Sequence, residues 1–196
     1  MPKPRGVKTS EAIRGAAAEL FHRRGYEATT LRQVAAEVGI QVGSLYNHIS
    51  GKQDLLRWIA VSALENLIDE QVKAVEGVED AEGRLRAAIE THMRVHAVRA
   101  RELFIGNSEL RSLSRANLRE VNALRGRYEA TLHELIDAVA AQGRADVLDA
   151  RLQSYALLAM GEHLASWYRP RSSPSLERVV AVYTQMALRQ LDLAGT

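Results

Sequence analysis

The stretch LRQVAAEVGIQVGSLYNHIS, residues 31–50, sets two short segments on either side of a single glycine. Thr30 precedes it, so the first segment opens on Thr-x-x-Gln, a capping box that satisfies a helix start through Thr30 and Gln33. Ala35 is small where a second helix must approach closely. Gly39, four residues on, can take the positive φ that a tight turn needs. Val34, Val38, Ile40 and Leu45 supply apolar contacts that lock two such helices together. The second segment is different in kind, because Gln41, Ser44, Tyr46, Asn47 and His48 crowd polar groups into it.

Outward from this pair, helical spacing continues and strand alternation is absent. Ile13, Ala16, Ala17, Leu20 and Phe21 mark one face of a first helix, which Gly25 stops. A short third helix is expected over 41–48. Ser50-Gly-Lys-Gln53 reads as another capping box, opening a long helix through Leu55, Ile59, Ala63, Leu67 and Val72 to Gly77. Further helices are expected over 81–101, 102–112, 115–141 (ended by Gly143), 146–168 and 174–193, the last opened by Ser173-Pro174. The fold class is all-α, with about nine helices. An N-terminal three-helix helix-turn-helix domain, residues 1–54, precedes a helical body over 55–196.

The 196 residues carry no cysteine, which excludes disulfides and thiol catalysis and suits a cytoplasmic location. No apolar run is long enough to cross a bilayer, and the basic N-terminus lacks the apolar stretch of a signal peptide. The net charge of +2 is uneven: residues 1–60 hold nine Lys and Arg against five Asp and Glu, and the remainder seventeen against nineteen. A basic head on a mildly acidic body suits a polyanion partner. No Gly-x-Ser-x-Gly, His-Glu-x-x-His or glycine-rich phosphate loop appears, so neither an enzyme nor a cofactor is implied.

The second helix of a helix-turn-helix lies in the major groove with its N-terminal residues at the base edges. On that reading Gln41 pairs with adenine, Ser44 with several bases, and Val42 touches a thymine methyl, while Gly43 lets the backbone come close. Tyr46, Asn47, His48 and Lys52 would meet phosphates. The competing reading makes Tyr46 and His48 filling of the helix interface and Lys52 a solvated charge. The arm MPKPRGVK, with Lys3, Arg5 and Lys8, is expected to be unstructured without DNA.

From Ser10 through ELFHRRGYEATTLRQVAAEVGIQVGSLYNHISGKQDLL, the chain resembles the DNA-binding domain of the TetR (AcrR) family of transcriptional repressors. The Phe near the end of helix one, Gly-Tyr, Thr-Thr, Val-Ala, Val-Gly, Gly-Ser-Leu-Tyr-x-His and Lys follow in order. Ile49 replaces the usual aromatic, and Gln41 and Val42 stand where members differ with their operators. Thr30 joins the DNA-binding candidates through this pattern. The resemblance implies a double-stranded operator as partner, a homodimer, and a body that binds a small-molecule effector.

In that body, Leu152, Tyr155, Ala159 and His163 trace one face, and Leu176, Val179, Val180, Tyr183 and Ala187 another. They suit either a four-helix dimer interface or internal core. SWYRPRSSPSLERVV, residues 166–180, resembles a Trp-Tyr-Arg-Pro stretch of members that answer acyl-CoA thioesters. Its plainer reading is a helix ending on an aromatic anchor. Candidate ligand-binding residues are His92, Met93, His96, Phe104, Asn107, Ser108, Met160, His163 and Trp167, around a largely apolar effector. His92 and His96, at i and i+4, have the spacing of a metal pair, but their apolar stripe reads better as core or pocket, and no metal is expected. Arg111, Arg115 and Arg119 form a basic row, either solvated or a landing place for the phosphates of an anionic effector. A ligand-responsive repressor is the leading function; an effector-independent architectural DNA binder and an enzyme with an unrecognised pocket are the alternatives.

Overall fold

The computed structural model describes residues 5–169 and 174–193, with side chains from residue 9 onward. Among these residues there are nine α-helices, one 3-10 turn and no strand. They are α1 (Arg5–Arg24), α2 (Leu31–Val38), α3 (Val42–Leu45), α4 (Lys52–Val75), α5 (Ala81–Val98), α6 (Ala100–Ser108), a 3-10 turn (Leu110–Ser112), α7 (Arg115–Ala141), α8 (Ala150–Trp167) and α9 (Leu176–Arg189).

The chain packs into two compact units. The first joins residues 1–63 to 101–122, and the second joins 64–100 to 123–196. Chain order hides this grouping, because α6, the 3-10 turn and the start of α7 return to the unit that holds the helix-turn-helix.

In the first unit, α1 buries Ile13, Ala17, Leu20 and Phe21 and packs on α2. Gly25 ends α1 at φ 81°, a conformation open to glycine without cost. Thr29 is buried and donates its hydroxyl to the Gly25 carbonyl at 2.9 Å, which holds the loop into α2. The segment Arg5–Lys8 continues α1 rather than forming an arm, since no proline interrupts the chain after Pro4; residues 1–4 lie outside the described residues. A Cβ at Gly106 would already touch Ala60 at van der Waals distance, so α6 packs closely on α4.

In the second unit, α5 is the central helix and packs on α8 and α9. Asp80 caps it by accepting the Gly83 N–H at 2.7 Å. Buried Glu82 is neutralised by Arg144 at 2.7 Å and Arg86 at 3.4 Å, as an interior carboxylate requires. Three helix starts shift from expectation. The Asp146 N–H donates to the Leu191 carbonyl instead of entering a helix, and α8 begins after Asp149, whose carboxylate accepts the Leu152 N–H. α9 is capped by Ser175, one residue past Pro174, and Ser173 lies outside the described residues. The long helix α4 begins without the reciprocal box expected at Ser50: the Ser50 N–H donates to Asp54 instead, because Gln53 is spent elsewhere. The helix expected over 102–112 breaks after Ser108 into the 3-10 turn.

Candidate nucleic-acid interface

The Thr30 capping box forms as read: the Thr30 side chain accepts the Gln33 N–H, and the Gln33 carboxamide accepts the Thr30 N–H at 2.8 Å. At the other end of α2, Gly39 sits at φ 75° and ψ 32°, and the Ile40 N–H reaches back to the Ala35 carbonyl at 3.0 Å. Val34, Ala35 and Leu45 are then buried between the two helices. This tight turn projects α3, a single helical turn whose N-cap, Gln41, makes no side-chain capping bond.

What α3 presents follows from that projection. Gln41, Gly43, Ser44, Tyr46 and Asn47 are exposed, with Tyr46 at 55 %. Among the described residues, the side chains of Gln41, Ser44, Tyr46 and Asn47 have no hydrogen-bond partner. Gly43 has a negative φ, and a Cβ built there would meet nothing within 4 Å. Nothing inside the protein therefore requires a glycine at this position. Val42 is half-buried, and Thr30 is exposed beside Arg32. Arg32 is exposed at the start of α2 with no partner among the described residues, and the motif-based reading missed it. A lone charge inside a helix-opening segment gave no periodic signal to find it by.

His48 and Lys52 are placed differently. The His48 Nδ1 lies 3.0 Å from the Ser10 hydroxyl, tying the end of α3 to α1. Lys52 donates to the carbonyls of Tyr26 at 3.0 Å and Glu27 at 3.2 Å, and its ammonium lies 4.2 Å from the Tyr26 ring centre. Burial raises the Tyr26 phenol, whose oxygen accepts from Gln53 at 3.0 Å. Both side chains brace the motif from within, so a phosphate at Lys52 would share its ammonium with two carbonyls.

The ligand candidates are divided between the two units. Phe104, Asn107 and Ser108 belong to the first unit, where Phe104 meets His22 edge to face at 5.3 Å. His92, Met93, His96, Met160, His163 and Trp167 belong to the second. His163 and Trp167 are exposed, and the Met160 sulfur accepts from Gln190. His92 is buried, and its Nε2 lies 3.0 Å from the Leu158 carbonyl, which can only accept; Nε2 therefore carries the proton. Nδ1 then accepts from the Tyr128 hydroxyl at 2.7 Å, so neither ring nitrogen is left for a metal or ligand. His96 donates from Nδ1 to the His92 carbonyl at 3.0 Å. Burial, with the neighbouring His96 second, holds His92 well below the ordinary imidazole range, and burial lowers His96 to about 4. Burial also raises the Tyr128 phenol. Gly161 completes the group, because a Cβ there would overlap the His92 ring.

The two stripes foreseen as a dimer surface part company. On α8, Leu152, Tyr155, Ala159 and His163 are exposed. On α9, Val179, Val180 and Ala187 are core, because that face turns inward. The open face of α9 is instead Ala181, Val182 and Met186 between Arg178 and Arg189, lining a groove of about 480 Å³ with Gln185. In the aromatic stretch, Tyr168 is buried and Trp167 lies 6.3 Å from Tyr183; residues 170–173 are outside the described residues.

Comparison with known proteins agrees with this arrangement in both halves. Residues 13–59 match the family model of bacterial regulatory proteins of the tetR family, and residues 78–191 match that of the tetracyclin repressor-like C-terminal domain. The chain belongs to the TetR family of transcriptional regulators. It is a DNA-binding regulator with a helix-turn-helix, not an enzyme. It is 26 % identical over 175 residues, 88 % of this chain and 85 % of the other, to the HTH-type transcriptional repressor KstR2 of Rhodococcus jostii. The TetR-family regulator PfmR of Thermus thermophilus superposes with a TM-score of 0.83 at 32 % identity, covering 90 % of this chain and 97 % of that one. AibR, solved with isovaleryl coenzyme A and operator DNA, shares the fold at a TM-score of 0.82 and 24 % identity, over 91 % and 97 % of the two chains. No helix among the described residues is long and apolar enough to cross a membrane.

Proposed function

We propose that this TetR-family protein is a cytoplasmic repressor that binds a palindromic operator as a homodimer and releases it when a small, largely apolar effector binds the body. The observation that carries the reading is the outer side of α3 and its flanking residues, where Gln41, Ser44, Tyr46 and Asn47 are exposed, with no partner among the described residues, around an open Gly43. Unspent donors and acceptors on a short helix held by the tight turn at Gly39 are available to base edges and phosphates. Gln41, Val42 and Ser44 read bases; Thr30, Tyr46 and Asn47, with Arg32 beside them, hold the backbone. Gly43 admits close approach, and His48 and Lys52 support the motif from behind.

Dimerisation is assigned to the open faces of α8 and α9, Leu152, Tyr155 and Ala159 with Ala181, Val182 and Met186. Leu152, Tyr155 and Met186 are large apolar groups exposed in a single chain, and a two-fold pairing would cover them. The effector is assigned to the second unit, and acyl-CoA thioesters are the first class to try, since AibR was solved with one. An effector entering between α5 and α8 must displace the Tyr128–His92–Leu158 bonds, which gives binding a direct route to moving two central helices.

One set of measurements tests the three assignments. Binding-site selection with the wild type should return an inverted repeat. Tyr46→Ala should weaken binding to every sequence, and Gln41→Ala should relax preference at particular base pairs, by about 1–3 kcal/mol there. Met186→Asp should sediment as a monomer and lose the operator. Acyl-CoAs should raise the melting point and release DNA. An identical consensus and affinity for wild type and both head variants would reject the docking of α3.

A further inference from the structure

The first unit carries a second set of unspent charges. Gln53, next to Lys52, draws the 3-10 turn and the start of α7 against α4: it donates to the Ser112 carbonyl and accepts the Ser114 N–H at 2.9 Å. One turn on, Arg57 grips Glu120 with two bonds of 2.5 and 2.6 Å. Arg111, Arg115 and Arg119 flank these joints, all exposed, and none has a partner among the described residues. They are not one helical row, because the chain is extended at Leu113; only Arg115 and Arg119 share a helix face.

Their isolation has a specific origin. The two carboxylates nearest in sequence are consumed internally, Glu120 by Arg57 and Glu109 by the Tyr26 N–H and the Ser112 hydroxyl. Three other arginines of the unit are engaged, Arg23 and Arg101 by Glu19 and Arg14 over Trp58, whereas Arg24 and Arg32 are exposed like the three here. The first turn of α7 holds no acidic residue, so Arg115 sits against the positive helix end with nothing to offset it. The fold thus leaves a net positive strip that begins beside the first turn of α4.

We propose that Arg111, Arg115 and Arg119 are a second phosphate track for operator DNA, beyond the helix-turn-helix. This rests on the operator-binding function proposed above. Charges spread over two elements suit successive phosphates of a polymer better than one compact headgroup. Their place in the unit that carries α3, joined to α4 through Gln53, the residue after Lys52, favours DNA over a ligand of the body. Such contacts add affinity without sequence information.

The test is the salt dependence of operator affinity. Arg111→Ala/Arg115→Ala/Arg119→Ala should flatten the slope of log K against log salt by about 0.9 for each phosphate no longer neutralised, with the selected consensus unchanged. The triple Arg→Lys variant should keep most of the slope, and Arg84→Ala, an exposed arginine of the second unit, should leave it unaltered. Melting points near wild type would establish that the variants are folded. An operator bound with the wild-type slope overturns the track alone. If that unchanged slope came with loss of the melting shift caused by coenzyme A, the phosphate served would be the effector's and the DNA assignment would fall. A wild-type protein that selects no DNA sequence overturns the regulator reading, and the track with it.

Discussion

The segment around α3 and the helix α5 both carry clusters of polar side chains, yet they use them in opposite ways. On and beside α3 the amide of Gln41, the hydroxyls of Ser44 and Tyr46 and the amide of Asn47 are exposed and have no partner among the described residues. On α5 His92 spends both nitrogens on Tyr128 and Leu158, and His96 bonds back to its own helix. Buried polar groups must be satisfied, at a cost of about 1–3 kcal/mol when they are not, whereas exposed ones lose little by waiting for a partner. The contrast separates a recognition surface from a structural core more sharply than residue type does. The glycines repeat it: Gly161 is required by a neighbouring ring, and Gly43 by nothing inside the chain.

The largest effect is expected at the buried cluster. His92→Ala leaves a cavity and an unpaired Tyr128 hydroxyl, and should cost about 3 kcal/mol of stability by denaturant titration. Gly161→Ala should cost about 1–3 kcal/mol by overpacking against His92, and much less in the His92→Ala background, where the clash is gone. Additive losses would show that α5 and α8 do not depend on that approach.

An intermediate effect belongs to pH. Burial lowers His92 and His96 in the folded state, so the unfolded chain binds more protons below its own pKa of about 6.5. Stability should be full above about pH 6.5. It should fall between there and about 4, with each buried imidazole contributing at most about 1.4 kcal/mol per pH unit. His96→Asn, which keeps a donor for the His92 carbonyl, should flatten the melting profile across that window. A profile as steep as the wild type's would place the titration elsewhere.

The smallest change in stability, and the most informative, is at Gly43. Gly43→Ala should leave the fold as stable or up to about 1 kcal/mol more stable, since alanine favours a helix and meets no neighbour. It should nevertheless weaken operator binding. Unaltered affinity in a gel-shift titration would mean that no partner approaches the α3 backbone there.

Much of this was legible from local signals. The Thr30–Gln33 box, the turn at Gly39 and the stops at Gly25, Gly77 and Gly143 act over a few residues and need no distant partner, so sequence alone determined the helix-turn-helix and nearly all the helices. The candidates on α3 stood out because polar residues followed an apolar pair. Tertiary structure decided what depends on faces and partners far along the chain. It turned Val179, Val180 and Ala187 inward and left Ala181, Val182 and Met186 open, two stripes that periodicity alone ranks alike. It took Gln53 from an expected cap to a joint with Ser112 and Ser114, about sixty residues away. It moved residues 101–122 into the unit of the helix-turn-helix, and it spent Glu109 and Glu120 there while leaving Arg111, Arg115 and Arg119 with no partner among the described residues. Periodicity tells which residues share a side of a helix; only the packing of other helices tells which side is covered.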